Sequence, residues 1–132
     1  MRLCLDTSAY SQFKKGEPQA VKIIDEATEV CVPVTVVGEL RAGFRCGSRY
    51  DKNDEELVKF LEHSAVRVLD LNEPASRHYA DIYAQLRRDG TPVPTNDMWI
   101  AAAALHDGAT ILTFDPHFEL IRGVGVILLE SY

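Results

Sequence analysis

Hydrophobic positions along this chain follow two periods, one typical of strands and the other of helices. Short apolar runs bounded by polar or turn residues indicate buried strands, and apolar residues three or four positions apart indicate amphipathic helices. The pattern predicts strands at residues 3–5, 30–34, 66–69, 110–113 and 124–129, and helices at residues 9–15, 18–27, 35–46, 51–63, 73–88 and 96–106.

Local signals refine the ends of these elements. Thr7 and Ser8 are suitable caps for the first helix, and Thr95 for the last. The pair Asp89-Gly90 predicts the end of the long helix before it. Gly43 lies inside a predicted helix, where glycine is unfavourable, and therefore suggests the close approach of another group.

The alternation of strands and helices predicts the fold class. Strands joined through helices require crossovers, which favour a parallel sheet covered on both faces. Ligands of such sheets bind beyond the carboxyl ends of the strands. Asp6 and Asp115 each follow a predicted strand, so we expect them at one edge. With 132 residues, the chain is expected to form one domain, residues 1–132.

Carboxylates border the apolar segments at four places: Asp6, Glu39, Asp97 and Asp115. A charged group in such a position is costly unless a cation or hydrogen bonds compensate it. Carboxylate ligation without histidine or cysteine suits Mg²⁺ or Mn²⁺ and not zinc. These residues predict a divalent metal site, and hydrolysis of a nucleic-acid backbone is the reaction class that such a site serves.

Two of these acids also have simpler interpretations. Asp97 falls in the first turn of its helix, where an acid complements the helix dipole without any further role. Glu39 stands at the edge of an apolar stripe, and it is equally a surface glutamate beside an exposed Arg41. Both interpretations stay open at the level of sequence.

Polar residues beside the acids are candidates for supporting roles. They are Thr7, Ser8, Asn96 and Thr113, whose hydroxyl or amide groups can hold a water or a carboxylate in place. Residues of these types also serve as caps and turn residues. His117, two positions after Asp115, is a candidate RNA contact or else a capping or packing residue.

Net charge limits how the chain can meet a nucleic acid. A formal net charge of −6 argues against non-specific coating, which relies on broad phosphate neutralisation. A local basic groove remains compatible with that charge. Arg41, Arg45 and Arg49 recur every four residues and are either contacts to RNA phosphates or a solvated helix face.

Cysteines and hydropathy bear on the cellular location. Cys4, Cys31 and Cys46 show no C-x-x-C spacing, and an odd count in apolar stretches indicates reduced thiols. No apolar run approaches the ~20 residues that span a bilayer, and the N-terminal stretch is too short and too soon acidic for a signal peptide. These features predict a cytoplasmic protein without a membrane segment.

Four segments of the chain resemble PIN-domain ribonucleases and, within them, the VapC-like toxins of toxin–antitoxin pairs. The segments are LCLDTS, VPVTVVGELRAG, PTNDMWIAAAALHDGATILTFDPHF and IRGVGVILL, which together span nearly the whole length. The resemblance implies an α/β/α sandwich with a central, mainly parallel sheet, and an endoribonuclease that depends on Mg²⁺ or Mn²⁺. By position it implies catalytic and metal-site roles for Asp6, Glu39, Asp97 and Asp115, supported by Thr7 and Thr113.

The same resemblance implies partners. Family members act on RNA, commonly form homodimers, and are neutralised by a small antitoxin that wraps the toxin near its active site. Ser8 stands where many relatives have asparagine, and Phe114 where a small polar residue is frequent. Neither departure removes a carboxylate, so the expected activity is unchanged.

Two other classes of function fit the residues less well. One is a catalytically inert module that binds RNA or protein on the same fold, and the presence of all four acids argues against it. The other is an Asp-dependent phosphoryl-transfer domain, which would phosphorylate Asp6. The segment DTS lacks the second acid expected of phosphatases, and no lysine follows the last strand as receiver domains require.

Overall fold

The structure is a computed structural model, and it describes residues 1–130. Helices and strands alternate along the chain as the hydrophobic pattern predicts. In chain order the elements are β1 (Arg2–Leu5), α1 (Thr7–Lys14), α2 (Pro18–Glu26), β2 (Glu29–Pro33), α3 (Val34–Arg45), α4 (Tyr50–Leu61), β3 (Val66–Leu69), α5 (Glu73–Asp89), α6 (Thr95–Asp107), β4 (Thr110–Thr113), a 3-10 helix (Pro116–Leu120) and β5 (Val126–Leu128).

The strands form one parallel sheet in the order β3-β2-β1-β4-β5. Strand β1 lies in the centre, where Leu3 pairs with Val30 of β2 and with Thr110 of β4. Parallel pairing brings the carboxyl ends of all strands to the same edge of the sheet. Asp6 follows β1 and Asp115 follows β4, so both acids lie at that edge.

Alternating side chains of the strands feed two hydrophobic layers, because successive residues of a strand point to opposite faces. On one face, Leu3, Leu5 and Leu112 pack with residues of α1 and α2, among them Ala9 and Ile24. On the other face, Cys4 and Ile111 pack with α6 residues that include Ile100, Ala101 and Ala104. The predicted α/β/α sandwich with a mainly parallel sheet is confirmed.

Helix α6 is central because its apolar residues face almost every direction. Met98, Ile100 and the four alanines that follow are all at most 6% exposed. Alanine has no side chain beyond Cβ, so a helix rich in it approaches the sheet and its neighbours α3 and α5 closely. The position of α6 in turn fixes its first turn, which carries Asn96 and Asp97, at the carboxyl edge.

Several local predictions were wrong about which residue starts a helix. Asp6, and not Thr7 or Ser8, caps α1, because its carboxylate accepts a hydrogen bond from the backbone N–H of Ala9. Thr95 is the first residue of α6, which follows Pro94 without a side-chain cap. The 3-10 helix, capped by Asp115, was not predicted.

The prediction for Gly43 was also wrong. Apart from the backbone of its own helix and its two neighbours in the chain, no heavy atom of residues 1–130 lies within 4 Å of the position that its Cβ would occupy. Close approach by another element therefore does not explain this glycine. Gly90 and Gly108 are different, since they end α5 and α6 with φ of 67° and 71°. The left-handed conformation at these two positions favours glycine and gives each helix a sharp end.

Two further findings bear on the environment of the chain. Among residues 1–130, no helix combines the length and the apolar character needed to cross a bilayer. The three cysteines are free, with Cys4 and Cys31 buried and Cys46 exposed.

Candidate active site

Asp6 lies at the carboxyl end of the central strand and is held in one orientation. It is 4% exposed and accepts hydrogen bonds from the N–H of Ala9 at 2.8 Å, Thr113 Oγ1 at 2.6 Å, and Ser8 Oγ at 2.8 and 2.9 Å. Burial raises the pKa of Asp6 above its ordinary value; the hydrogen bonds oppose that rise, and the charge of Asp115 adds to it.

Glu39 joins the edge from α3 and is fixed by two neighbouring elements. Thr7 Oγ1 donates to its Oε1 at 2.7 Å, and Asn96 Nδ2 donates to its Oε2 at 3.2 Å. Arg41 pairs instead with Asp54, with 2.7 Å between Nε and Oδ1. The interpretation of Glu39 as a surface residue beside Arg41 is therefore wrong, and Glu39 links the first turns of α1 and α6.

Asp97 is the acid of this site with the least compensation of its charge by hydrogen bonds. Its side chain is 14% exposed, and within residues 1–130 its buried Oδ2 has no hydrogen-bond partner. Burial raises the pKa of Asp97 to about 6, and the charge of Asp115 adds to this effect, as do those of Glu39 and Asp6. A role limited to the helix dipole does not account for a carboxylate turned toward three other acids.

Asp115 completes the group from the segment after β4. Its backbone N–H donates to Thr113 Oγ1 at 2.9 Å, so the buried Thr113 connects Asp115 with Asp6. Its Oδ1 accepts the backbone N–H of His117 at 2.9 Å, which caps the 3-10 helix. Ser8 Oγ accepts the N–H of Phe114 at 3.0 Å and ties the same segment to α1.

His117 lies directly beside two of the acids. Its Nδ1 is 3.1 Å from Asp115 Oδ1 and 3.6 Å from Asp97 Oδ2. The side chain is 48% exposed, so burial in the core does not fix its position. Asp97, Asp115 and His117 each offer one ligand atom, and these atoms lie within 4.8 Å of one another.

The predicted arginine series does not form one helix face. Helix α3 ends at Arg45, and Arg49 is the residue before α4. Arg41 is paired with Asp54, whereas the guanidinium of Arg45 stacks on the ring of Tyr50 at 4.1 Å from its centroid. Contacts between RNA and Arg41, Arg45, Arg49 or His117 stay predictions.

The four acids fit a divalent cation. Within residues 1–130, none of them is within ion-pair distance of a lysine or arginine; the contacts of this kind are those of His117 with Asp97 and Asp115. The unpartnered buried oxygen of Asp97 and the set of carboxylate oxygens match the ligands that Mg²⁺ and Mn²⁺ prefer. The predicted site residues are thus brought together, apart from the three arginines.

A second charged cluster lies at the opposite edge of the sheet, and the sequence did not reveal it. Arg67 Nη2 lies 2.7 Å from Glu29 Oε1 and 2.9 Å from both oxygens of Asp107. Arg2 Nε lies 3.6 Å from Glu29 Oε1, and Arg2 Nη1 lies 3.7 Å from Asp107 Oδ2. The thiol of the buried Cys31 donates hydrogen bonds to both acids. The one signal in the sequence was an arginine inside the apolar strand VRVL.

Comparison with known proteins places the chain in a family. The PIN domain family matches residues 3–124. The plasmid stability protein StbB of Pseudomonas syringae is 37% identical, with 95% of this chain and 96% of that protein covered. The VapC ribonuclease Y4jK of Sinorhizobium fredii is 33% identical, with 95% of each chain covered.

A solved structure agrees with these matches. A chain of the DNA-bound VapBC of Salmonella typhimurium superimposes with a TM-score of 0.85 at 27% identity, and the match covers 96% of this chain and 97% of that one. The parallel sheet of this chain agrees with that superposition. The chain therefore belongs to the PIN domain family and resembles, within it, the VapC ribonucleases.

Proposed function

We propose that this chain is a divalent-metal-dependent endoribonuclease and acts as the toxin of a toxin–antitoxin pair. One observation carries the proposal: acids in α3, in α6 and directly after β1 and β4 converge at one edge, and among residues 1–130 no lysine or arginine pairs with them. Such a cluster is unfavourable without a cation, because the carboxylates repel one another and are partly buried. The relatives called VapC ribonucleases support the activity.

The residues divide into those that hold the cation and those that hold the acids. Asp6, Glu39, Asp97 and Asp115 would bind Mg²⁺ or Mn²⁺, which when bound lowers the pKa of a coordinated water and neutralises charge on a phosphodiester. Thr113 and Ser8 orient Asp6 through their hydrogen bonds. Thr7 and Asn96 orient Glu39 in the same way. The acids are therefore positioned before any ligand arrives, which reduces the cost of reorganisation during the reaction.

Partners and location follow from the same proposal. The substrate is RNA, and the protein partner is a small antitoxin, as the VapBC assemblies among the solved structures suggest. We further propose that the toxin forms a homodimer, which light scattering of the purified protein would test. Three free cysteines are what a reducing compartment maintains, which supports a cytoplasmic location.

The phosphoryl-transfer alternative is disfavoured by the surroundings of Asp6. A receiver domain requires a lysine near its acidic residues, and among residues 1–130 no lysine lies within ion-pair distance of Asp6. The lysines that form ion pairs, Lys14 and Lys59, lie beside Glu56 and Glu55. The inert-module alternative keeps the fold but requires that the acids bind no metal, and the following test separates it from the proposal.

The test is cleavage of total cellular RNA by the purified protein. Wild-type protein in Mn²⁺ or Mg²⁺ is compared with the same protein in EDTA and with Asp97→Asn in metal. We expect discrete RNA fragments only from wild-type protein with metal. Intact RNA in every lane, from protein shown to be folded and free of any antitoxin, would favour the inert module.

The toxin role requires a separate experiment in cells. Induced expression of the wild-type chain should arrest growth, and Asp97→Asn should relieve the arrest at equal protein level. Equal toxicity of the two proteins would contradict a role based on catalysis. Absence of toxicity from a protein that cleaves RNA in vitro would leave the nuclease and remove the toxin assignment.

A further inference from the structure

We propose that His117 is a ligand of the divalent ion and that the site consequently favours Mn²⁺ over Mg²⁺. This inference rests on the proposed metal-dependent function, since it concerns the same cation. It adds a nitrogen ligand to a set that otherwise consists of carboxylate oxygens.

The distances suit ligands of one ion. Bond lengths of about 2.0–2.1 Å, as for Mg²⁺, place neighbouring ligands of an octahedral ion about 2.8–3.0 Å apart, and slightly longer bonds place them slightly farther apart. His117 Nδ1 is 3.1 Å from Asp115 Oδ1 and 3.6 Å from Asp97 Oδ2. All three ligand atoms lie within 4.8 Å of one another. A single cation can therefore contact one nitrogen and two oxygens without rearrangement of the backbone.

The local backbone holds the imidazole beside the acids. Asp115 accepts the backbone N–H of His117 at 2.9 Å, and Pro116 occupies the first turn of the 3-10 helix between them. Phe118, the next residue, is fully buried and anchors this turn in the core. The position of His117 is thus fixed by its neighbours, although its own ring is 48% exposed.

Packing does not explain why the ring turns toward the acids. A half-exposed histidine is free to extend into water, and here its Nδ1 instead faces Asp97 Oδ2, which has no hydrogen-bond partner within residues 1–130. The imidazole and the unpartnered oxygen thus border the same small space. A cation in that space would satisfy both groups.

The nitrogen ligand affects the choice of ion. Mg²⁺ strongly prefers oxygen ligands, so an imidazole adds little to its binding. Both ions favour carboxylate and water oxygens, but Mn²⁺ is the softer of the two and accepts an imidazole nitrogen more readily than Mg²⁺ does. Replacement of His117 should therefore weaken Mn²⁺ binding more than Mg²⁺ binding.

The direct test is pulsed electron paramagnetic resonance of Mn²⁺ bound to the full chain. A nitrogen ligand produces ¹⁴N modulation of the electron spin echo, and labelling all histidines with ¹⁵N should shift its frequency. We expect the modulation in wild-type protein and in His106→Ala, a control that removes an exposed histidine from α6. His117→Asn should lose the modulation while still binding Mn²⁺.

Metal titrations provide the second readout. His117→Asn should lower the Mn²⁺ affinity on the order of tenfold, and the Mg²⁺ affinity by a clearly smaller factor, measured by displacement of bound Mn²⁺. Thermal unfolding of the variant in EDTA should be close to that of wild-type protein, since the ring is half exposed.

The outcomes separate this inference from the proposed function. Wild-type protein that binds Mn²⁺ and cleaves RNA but shows no ¹⁴N modulation would overturn the role of His117 and leave the nuclease intact. Equal losses of Mn²⁺ and Mg²⁺ affinity in His117→Asn would overturn the claimed preference. Wild-type protein that binds neither ion would overturn both this inference and the metal-dependent function.

Discussion

The two acidic clusters lie at opposite edges of the same sheet and differ in how their charges are compensated. At the amino edge, Arg67 hydrogen-bonds Glu29 and Asp107, and Arg2 lies near both acids. The hydrogen bond from Arg67 lowers the pKa of Glu29. For Asp107, burial acts to raise the pKa, but the hydrogen bonds from Arg67 and Cys31, together with the charges of Arg67 and Arg2, outweigh it, and the pKa falls below its ordinary value.

At the carboxyl edge, burial of Asp6 and Asp97 outweighs the groups that stabilise their charge. Burial raises the pKa of Asp97 to about 6, the neighbouring acids add to it, and His117 offers only partial compensation. The amino-edge cluster is complete as it stands and serves to join strands and helix. Among residues 1–130, the acids of the carboxyl-edge cluster have no arginine or lysine within ion-pair distance, whereas those of the amino-edge cluster have two arginines. This is the physical difference between a structural cluster and a candidate active site.

The largest expected effect comes from removing one acid of each cluster in turn. Asp115→Asn should lower the rate of RNA cleavage on the order of 10³-fold, because a metal ion provides several kcal/mol of transition-state stabilisation. The asparagine can still cap the 3-10 helix. Asp107→Asn, at the other edge, should cleave at nearly the wild-type rate. Similar losses in both variants, measured as initial rates in Mn²⁺, would mean that stability and not chemistry is affected.

Stability should respond to Asp97→Asn in the direction opposite to activity. A pKa of about 6 against an ordinary value of 3.8 corresponds to at most about 3 kcal/mol of unfavourable free energy near neutral pH. Because the pKa is raised in the folded state, this destabilisation is absent well below pH 4 and grows as the pH rises through about 6. In EDTA, the variant should therefore unfold at a higher temperature than wild-type protein at about pH 7.5, and the two should converge near pH 4.

The control for that experiment is an exposed acid in the first turn of another helix. Asp51 lies in the first turn of α4 and is exposed, so Asp51→Asn should not stabilise the protein. Addition of Mn²⁺ should stabilise wild-type protein by mass action and Asp97→Asn much less. A variant that melts below wild-type protein in EDTA at neutral pH would contradict the picture of an uncompensated acid.

The amino-edge cluster should show the opposite dependence on pH. Arg67→Met should lower the melting temperature by a few degrees near neutral pH, a modest effect because the arginine is half exposed. The pKa values of Glu29 and Asp107 are lowered in the folded state, so their stabilisation is present above about pH 4 and lost as the pH falls through the lowered values. The difference between Arg67→Met and wild-type protein should thus vanish in acid.

Matched substitution of another arginine checks that this effect comes from the cluster. Within residues 1–130, Arg77 pairs with Glu73 alone, on the surface of α5, and Arg77→Met should change the melting temperature little. Addition of Mn²⁺ to Arg67→Met would sharpen the comparison further. A partial recovery of its melting temperature would show that the acids of this cluster bind a metal ion once the arginine is removed.

The smallest effect is expected from the arginines near α3. Arg45 stacks on Tyr50, whereas Arg41 is engaged by Asp54. Arg45→Glu should weaken RNA binding by several-fold at low salt, and the loss should shrink as salt rises. Arg41→Glu should have less effect on binding because Arg41 is already paired. Equal binding by Arg45→Glu and wild-type protein in a filter assay would leave Arg45 as a solvated residue.

Much of the fold was predictable because local patterns determine it. The strands Val66–Leu69 and Thr110–Thr113 match their predicted bounds, since apolar runs with turn residues on both sides leave little choice. Helix starts were less predictable. Asp6 is both a cap and a candidate site residue, and the sequence does not reveal that one side chain fills both positions.

The acids themselves were identified from the sequence, and their arrangement was not. Four carboxylates beside apolar segments indicated a cation, because the cost of burying charge is the same in any fold. Their hydrogen bonds come from hydroxyl groups of residues distant in sequence, and Arg41 likewise pairs with the distant Asp54. Contacts of this kind cannot be inferred from local patterns. The cluster around Arg67 was missed for the same reason, since its partners come from β2, β3 and the end of α6.

By itself, the sequence determined the order of elements, the parallel sheet and the identity of the acids, because periodicity and the cost of buried charge act locally. Only the tertiary structure decided which acids are paired with an arginine of the chain and which are not. Compensation of charge requires atoms within a few ångströms, and the approach of Arg67 to Asp107, or of His117 to Asp97, is set by how the helices pack on the sheet.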